Sequence, residues 1–175
     1  MDVTTSDIAR LFLESSHAKL VDEYWPRLRA CVELLRDVEV WWRPNEQSNS
    51  VGNPVLHLNG NVYQWLVASF GRLDDARNRP AEFAERETIP SSVLLARLEG
   101  TMHAASVTLK GLTEADLTRT MQIQGYTVSG LYAVYHVVEH FGMHQGQIAY
   151  ITKLLRREGL GFYRELDATG RPPQL

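Results

Sequence analysis

Residues 136–155, HVVEHFGMHQGQIAYITKLL, decide how this chain folds. Read as a helix, the segment carries Ile148, Ile151 and Leu155 on one side, which must face a packed interior. The register that brings those residues inward passes through His140, His144 and Gln147. His136, His140 and His144 recur at four-residue intervals, so half of the six histidines lie within nine positions. The stretch is therefore both a core-forming helix and a ladder of imidazoles.

Working outward, the same helical period dominates the chain, and alternating strand patterns are almost absent. A first helix is expected from about Ser6 to Val38, with Leu20, Tyr24, Leu28, Cys31, Leu35 and Val38 as its inward stripe. Trp41-Trp42-Arg43-Pro44 follows, and Pro44 would end any helix there. A second helix is expected from about Val51 to Phe70, capped by Ser48, Asn49 or Ser50, with Pro54 tolerated in its first turn and Gly71 suited to its stop. A third runs from Pro90-Ser91-Ser92 to about Lys110. A fourth begins after Thr127 or Ser129, contains the opening stretch and ends near Gly159. Residues 72–89 and 112–127 are expected to be long connections, the former charged and irregular with room for a short helical turn, and the tail GFYRELDATGRPPQL irregular. The result is an all-α, four-helix bundle forming a single domain over residues 1–175. Connections of this length permit crossovers.

Composition narrows the function. The chain has a net charge of −3 and 44% hydrophobic residues. It lacks the basic excess of a nucleic-acid binder and the roughly 20-residue apolar run of a membrane span. The first residues carry no secretory pattern. The single cysteine, Cys31, reads as a helix-buried thiol, and a cytoplasmic location is the default.

Residues four apart on a helix are offset by about 40° and about 6 Å along its axis, so two such imidazoles can converge on one cation. His136 and His144 lie about 12 Å apart, too far to share one. At most two of the three bind directly. The inward register favours the pair His140/His144, and spacing alone leaves His136/His140 open. His57 offers the best third ligand, because Asn53, His57, Asn61 and Gln64 form a polar strip on an apolar helix, a sign of an internal pocket. His103 reads as a satisfied core residue and His17 as solvated surface. Three imidazoles without a thiolate suit zinc or nickel first, with iron, cobalt and manganese as further candidates. Three protein ligands leave a coordination position open, as reactive zinc sites do. On spacing alone, a chance pair of histidines is as common as a ligand pair. Asn61, Gln64 and Gln147 are candidate hydrogen-bonding neighbours of the site. Glu139 points away from His140, and Tyr63, Tyr135 and Tyr150 read as packing residues.

The stretch EHFGMHQGQIAYITKLL resembles the last-helix signature of the DinB-like superfamily, H-x-x-x-H followed by a G-Q-[IL] run. NSVGNPVLHLNGNVYQWL resembles that family's second helix with its single metal histidine, and WWRPNEQSNS resembles the connection before it in an uncharacterised branch. The resemblance spans about Tyr24 to Leu155. It implies a four-helix bundle holding a divalent cation on His57, His140 and His144, with Gly146 allowing close helix packing and Gln147 facing the core near the site. It also implies a homodimer, and a metal-dependent hydrolase or a transferase using a low-molecular-weight thiol.

Two other readings compete: a metal-binding stress-response protein without turnover, and a helical interaction module in which the ladder is incidental. In the latter Trp41-Trp42 could belong to a partner surface, although such a pair more often caps a core. The expected partner is a small-molecule substrate or thiol, with neither nucleic acid nor membrane.

Overall fold

The computed structural model describes residues 4–164 and residue 170. The expected irregularity of the last residues falls largely outside them. Four helical rods form the body. The first is α1 (Thr5–His17), a π-helical segment (Ala18–Tyr24) and α2 (Trp25–Glu33). Pro26 has no N–H to give the preceding turn, and the helix absorbs the defect by widening: the Trp25 N–H reaches Leu20 O. Helix α3 (Asp37–Val40) follows a break. The second rod is α4 (Gly52–Val62), a second π-helical segment (Tyr63–Ala68) and α5 (Ser69–Gly71), closed by Arg72 in the left-handed region. After the short α6 (Arg79–Ala84), α7 (Ser91–Gly111) is the third rod. Helix α8 (Glu114–Thr118), strands β1 (Thr120–Ile123) and β2 (Tyr126–Ser129), and the fourth rod α9 (Gly130–Arg156) complete the described chain.

Rods one and two each pack on rods three and four. They therefore sit diagonally, and the connection between them crosses the end of the bundle. Leu20, Leu28, Leu58, Leu98, Phe141 and Ile148 are among the fully buried side chains at the centre. Cys31 is buried there, and that burial pushes its thiol up to about 11, so it is inert as a nucleophile.

Several expectations need correction. The first helix breaks after Glu33, and Glu39 accepts from the Arg36 N–H to restart it as α3. That break turns Val38 outward, to 63% exposure. Trp41 packs on the core and donates to Ile89 O, whereas Trp42 is exposed. Ser50 starts the second rod: its hydroxyl accepts from the Asn53 N–H while Asn53 Oδ1 accepts from the Ser50 N–H, a reciprocal cap with asparagine in the usual Glu position. The connection 112–127 holds α8 and an antiparallel hairpin. Gln124 (φ 53) and Gly125 (φ 83) are both left-handed, as a tight two-residue hairpin loop requires. Tyr135 and Tyr150 are exposed, not packing residues.

Midway along α9, the glycine that meets a neighbour is Gly142, whose missing Cβ leaves room for the Tyr24 ring. Gly146, expected to allow close packing, is exposed, and a Cβ added there would meet nothing within 4 Å. Gly146→Ala should therefore stabilise the protein by about 0.5–1 kcal/mol through helix propensity. At Gly130 a Cβ would collide with the Asp116 carbonyl oxygen. Gly130→Ala should cost about 1–3 kcal/mol. Urea midpoints of the two variants check both signs.

Candidate metal centre

Helix α4 turns its polar strip inward, with Asn53, His57 and Asn61 all buried. Helix α9 packs on it and brings His140 and His144 to the same level. The ligand atoms of His57, His140 and His144 all lie within 4.8 Å of one another, forming the one such group of three among the described residues. The closest pair is His57 Nε2 and His140 Nε2, 3.1 Å apart.

Two of the three outer nitrogens are anchored. His57 Nδ1 lies 2.8 Å from Glu82 Oε2 and 3.0 Å from Arg77 Nη2. The carboxylate only accepts, so the tautomer that meets it carries the proton on Nδ1 and leaves Nε2 as a lone-pair donor, with Arg77 Nη2 donating to Glu82. His144 Nδ1 likewise donates to Gln147 Oε1 at 2.8 Å. Gln147 itself is exposed on α9, so it supports His144 from the surface and does not face the core. His140 Nδ1 is buried with no hydrogen-bond partner.

Glu82 is held by Arg77, whose Nε and Nη2 donate to its two oxygens at 2.7 and 2.9 Å. Arg77 Nη1 also donates to Gln64 Oε1 at 2.9 Å. Burial opposes ionisation of Glu82, but the hydrogen bonds from His57 and Arg77 outweigh it and keep the carboxyl below its usual range. The carboxylate is thus ionised and available to orient His57. Both Arg77 and Glu82 come from the charged connection expected to hold at most a short helical turn. It contains α6, capped by Asn78, whose Oδ1 accepts from the Ala81 N–H.

The remaining histidines divide. His136 does not join the cluster. Its ring lies over Trp65, with centroids 4.1 Å apart, and its Nε2 is 3.2 Å from Asn61 Nδ2. His17 is not solvated surface: it is half-buried against Ser106 Oγ at 2.8 Å. His103 is exposed on α7, not in the core. Glu139 is exposed, as its helical direction implied.

Burial pushes His140 down to about 3, with the neighbouring imidazoles adding to the shift, and burial lowers His144 and His136 as well. These rings are neutral at pH 7, the state a metal ligand needs. An unfolded imidazole titrates near 6.5, so between that value and about 3 the unfolded state binds more protons than the folded one. Metal-free protein should accordingly lose stability as pH falls from 6.5 towards 3 and change little above 7. Thermal midpoints across that range test this, with a shallower acid slope expected in His140→Gln.

Beside the cluster lies a cleft of about 500 Å³ lined by His57, His140, His136, Trp65 and residues of the hairpin. A cavity of about 550 Å³ elsewhere, between α1 and the end of α7, brings no comparable group together.

Residues 7–162 match the family model described as "Protein of unknown function (DUF1572)". The chain belongs to the DUF1572 family. Its fold is DinB-like. A conserved protein from Enterococcus faecalis superposes with a TM-score of 0.70 at 15% identity, covering 83% of this chain and 97% of that one. A DinB-like protein from Bacillus cereus gives 0.64 at 14% identity, covering 83% and 91%. The DinB-like protein YjoA from Bacillus subtilis gives 0.61 at 18% identity, covering 80% and 91%. No curated protein matches the chain. This DUF1572 chain therefore has the expected helical-bundle fold, with three histidines placed so that they could hold a metal ion.

Proposed function

We propose that His57, His140 and His144 bind one divalent cation, zinc or nickel, and that this chain is a metal-dependent enzyme acting on a small molecule in the adjoining cleft. The observation that carries the reading is the convergence of three imidazoles, two with their outer nitrogens committed to oxygen acceptors. The residues present fit such an ion. Two facing Nε2 atoms at 3.1 Å compare with about 3.3 Å between ligands around a tetrahedral zinc at roughly 2.0–2.1 Å bond length. A proton shared between the two nitrogens satisfies only that pair, whereas a cation also engages His144. The set has no thiolate and no ligating carboxylate, which favours the nitrogen-preferring metals.

A cation held there supplies Lewis acidity at a coordination position left free for a water or a thiol. The chain's own residues do the rest. Glu82 fixes the tautomer and direction of His57, and Gln147 does the same for His144. Trp65 and the hairpin shield the cleft on one side and leave it open to a small molecule. That accessible volume beside the imidazoles favours turnover over simple metal storage. The reaction classes that suit this arrangement are hydrolysis and transfer of a low-molecular-weight thiol to an electrophile.

The test is a screen of metal-loaded protein against activated esters and against several biological thiols, each paired with an alkylating electrophile. Thiol or ester consumption that is lost in His140→Ala supports an enzyme. Full metal loading with no consumption of any of them supports the non-catalytic metal-binding reading instead.

A further inference from the structure

The cleft beside the imidazoles has a chemical bias of its own. Its exposed aromatic surface is Tyr126 and Tyr132, with the buried Trp65 beneath, 6.4 Å from the Tyr126 ring. Two guanidinium groups, Arg77 and Arg79, also line it, and among its described lining residues there is no Asp or Glu. The protein as a whole carries a net charge of −3, so this cationic lining runs against the overall balance. The two arginines are not equivalent. The Arg77 side chain is 4% exposed and is consumed by Glu82 and Gln64. Arg79 is exposed, lies over the Phe83 ring at 5.1 Å, and makes no ion pair among the described residues. It is the cation in this cleft still free to meet a ligand.

The geometry points to a small organic carboxylate with a flat, conjugated body as the ligand of this cleft, its charge met by Arg79 and its body laid on Tyr126 and Tyr132. A volume of about 500 Å³ suits one molecule of that size. A guanidinium meets a carboxylate through paired N–H donors, and an aromatic wall rewards a planar apolar body over a branched or fully polar one. This assignment names the substrate class of the proposed enzyme site and rests on that cleft being the working one. It does not require the cation to be present for binding.

Calorimetric titration of cinnamate, cinnamamide and cinnamylamine tests it, on both metal-free and zinc-loaded protein. The three share one planar body and differ in charge. Cinnamate should bind metal-free wild type at least about tenfold more tightly than the amide, the contribution of one charge-assisted contact. Arg79→Gln should erase that difference, and Arg79→Glu should turn the preference towards the amine. Arg79 is exposed, so both variants should keep the wild-type circular dichroism. No binding at millimolar cinnamate, equal binding of acid and amide to wild type, or a preference that survives in Arg79→Gln would each overturn the assignment. A protein that takes up no zinc yet retains the Arg79-dependent preference would remove the metal reading and leave this one standing. Zinc uptake without the preference would do the reverse.

Discussion

Replacing His140 with alanine should abolish the rise in thermal midpoint that zinc or nickel gives the wild-type protein. A ligand at about a thousand times its dissociation constant stabilises a fold by roughly 4 kcal/mol, which is about 8–16 °C for a domain of this size. His57→Ala should lose the same shift, because it removes the other half of the 3.1 Å nitrogen pair. His136→Ala should keep it, since that ring sits on Trp65 and Asn61 and outside the ligating group. Differential scanning fluorimetry with and without metal reads all three. Equal loss in His136→Ala and His140→Ala would show that the ladder acts as one unit and would refute the ligand assignment.

The second large effect concerns Arg77. Its side chain and that of Glu82 are 4% and 11% exposed, and they form a two-point contact behind His57. Removing one member of a buried pair leaves the other charge without a partner and costs about 3–5 kcal/mol. Arg77→Ala should therefore destabilise the metal-free protein by that order, visible as a lowered urea midpoint. Its consequence should reach the metal as well. With Glu82 no longer fixed, His57 loses its orienting acceptor, and cation affinity should fall about 10–100-fold. Glu82→Gln separates the two effects: it keeps the shape, leaves Arg77 buried without its counter-charge, and should weaken metal binding even where the fold survives. Competition titrations against a chromophoric chelator measure that loss.

Features with a local period are readable in the sequence. His140 and His144 share a helix, so their separation follows from helical rise alone. His57 stands out because it interrupts an apolar helix together with Asn53 and Asn61, all of which prove buried. Arg77 and Glu82 give no such sign. They lie in a charged stretch without periodicity, and they meet the carbonyl and the ring of His57, 20 and 25 residues away in α4. Asn78-Arg79-Pro80 does hold a helix-start signal, an N-cap followed by proline in the first turn, and it marks α6. The hairpin escapes sequence reading for a related reason. Its strands are four residues each, too short for alternation to stand out, and its loop is Gln-Gly in place of the commoner Asn-Gly. Val38 lies outside because the helical period does not continue across the break that the Glu39 cap creates. The packing role expected of Gly146 belongs to Gly142, one turn earlier and against Tyr24.

The imidazole cluster also explains why its surroundings look as they do. Imidazole nitrogens brought together away from water are costly unless something satisfies them. Glu82 and Gln147 satisfy two, and the nitrogens facing one another between His57 and His140 suit a third kind of partner. A cation is the partner that uses those lone pairs together.

The most direct measurement is metal content by inductively coupled plasma mass spectrometry on untagged protein, dialysed after exposure to zinc or nickel. One equivalent per chain in wild type and His136→Ala, with none in a His57→Ala/His140→Ala double variant that keeps its helical circular dichroism, is the predicted result. Wild type that retains no metal, or a folded double variant that retains a full equivalent, would contradict it.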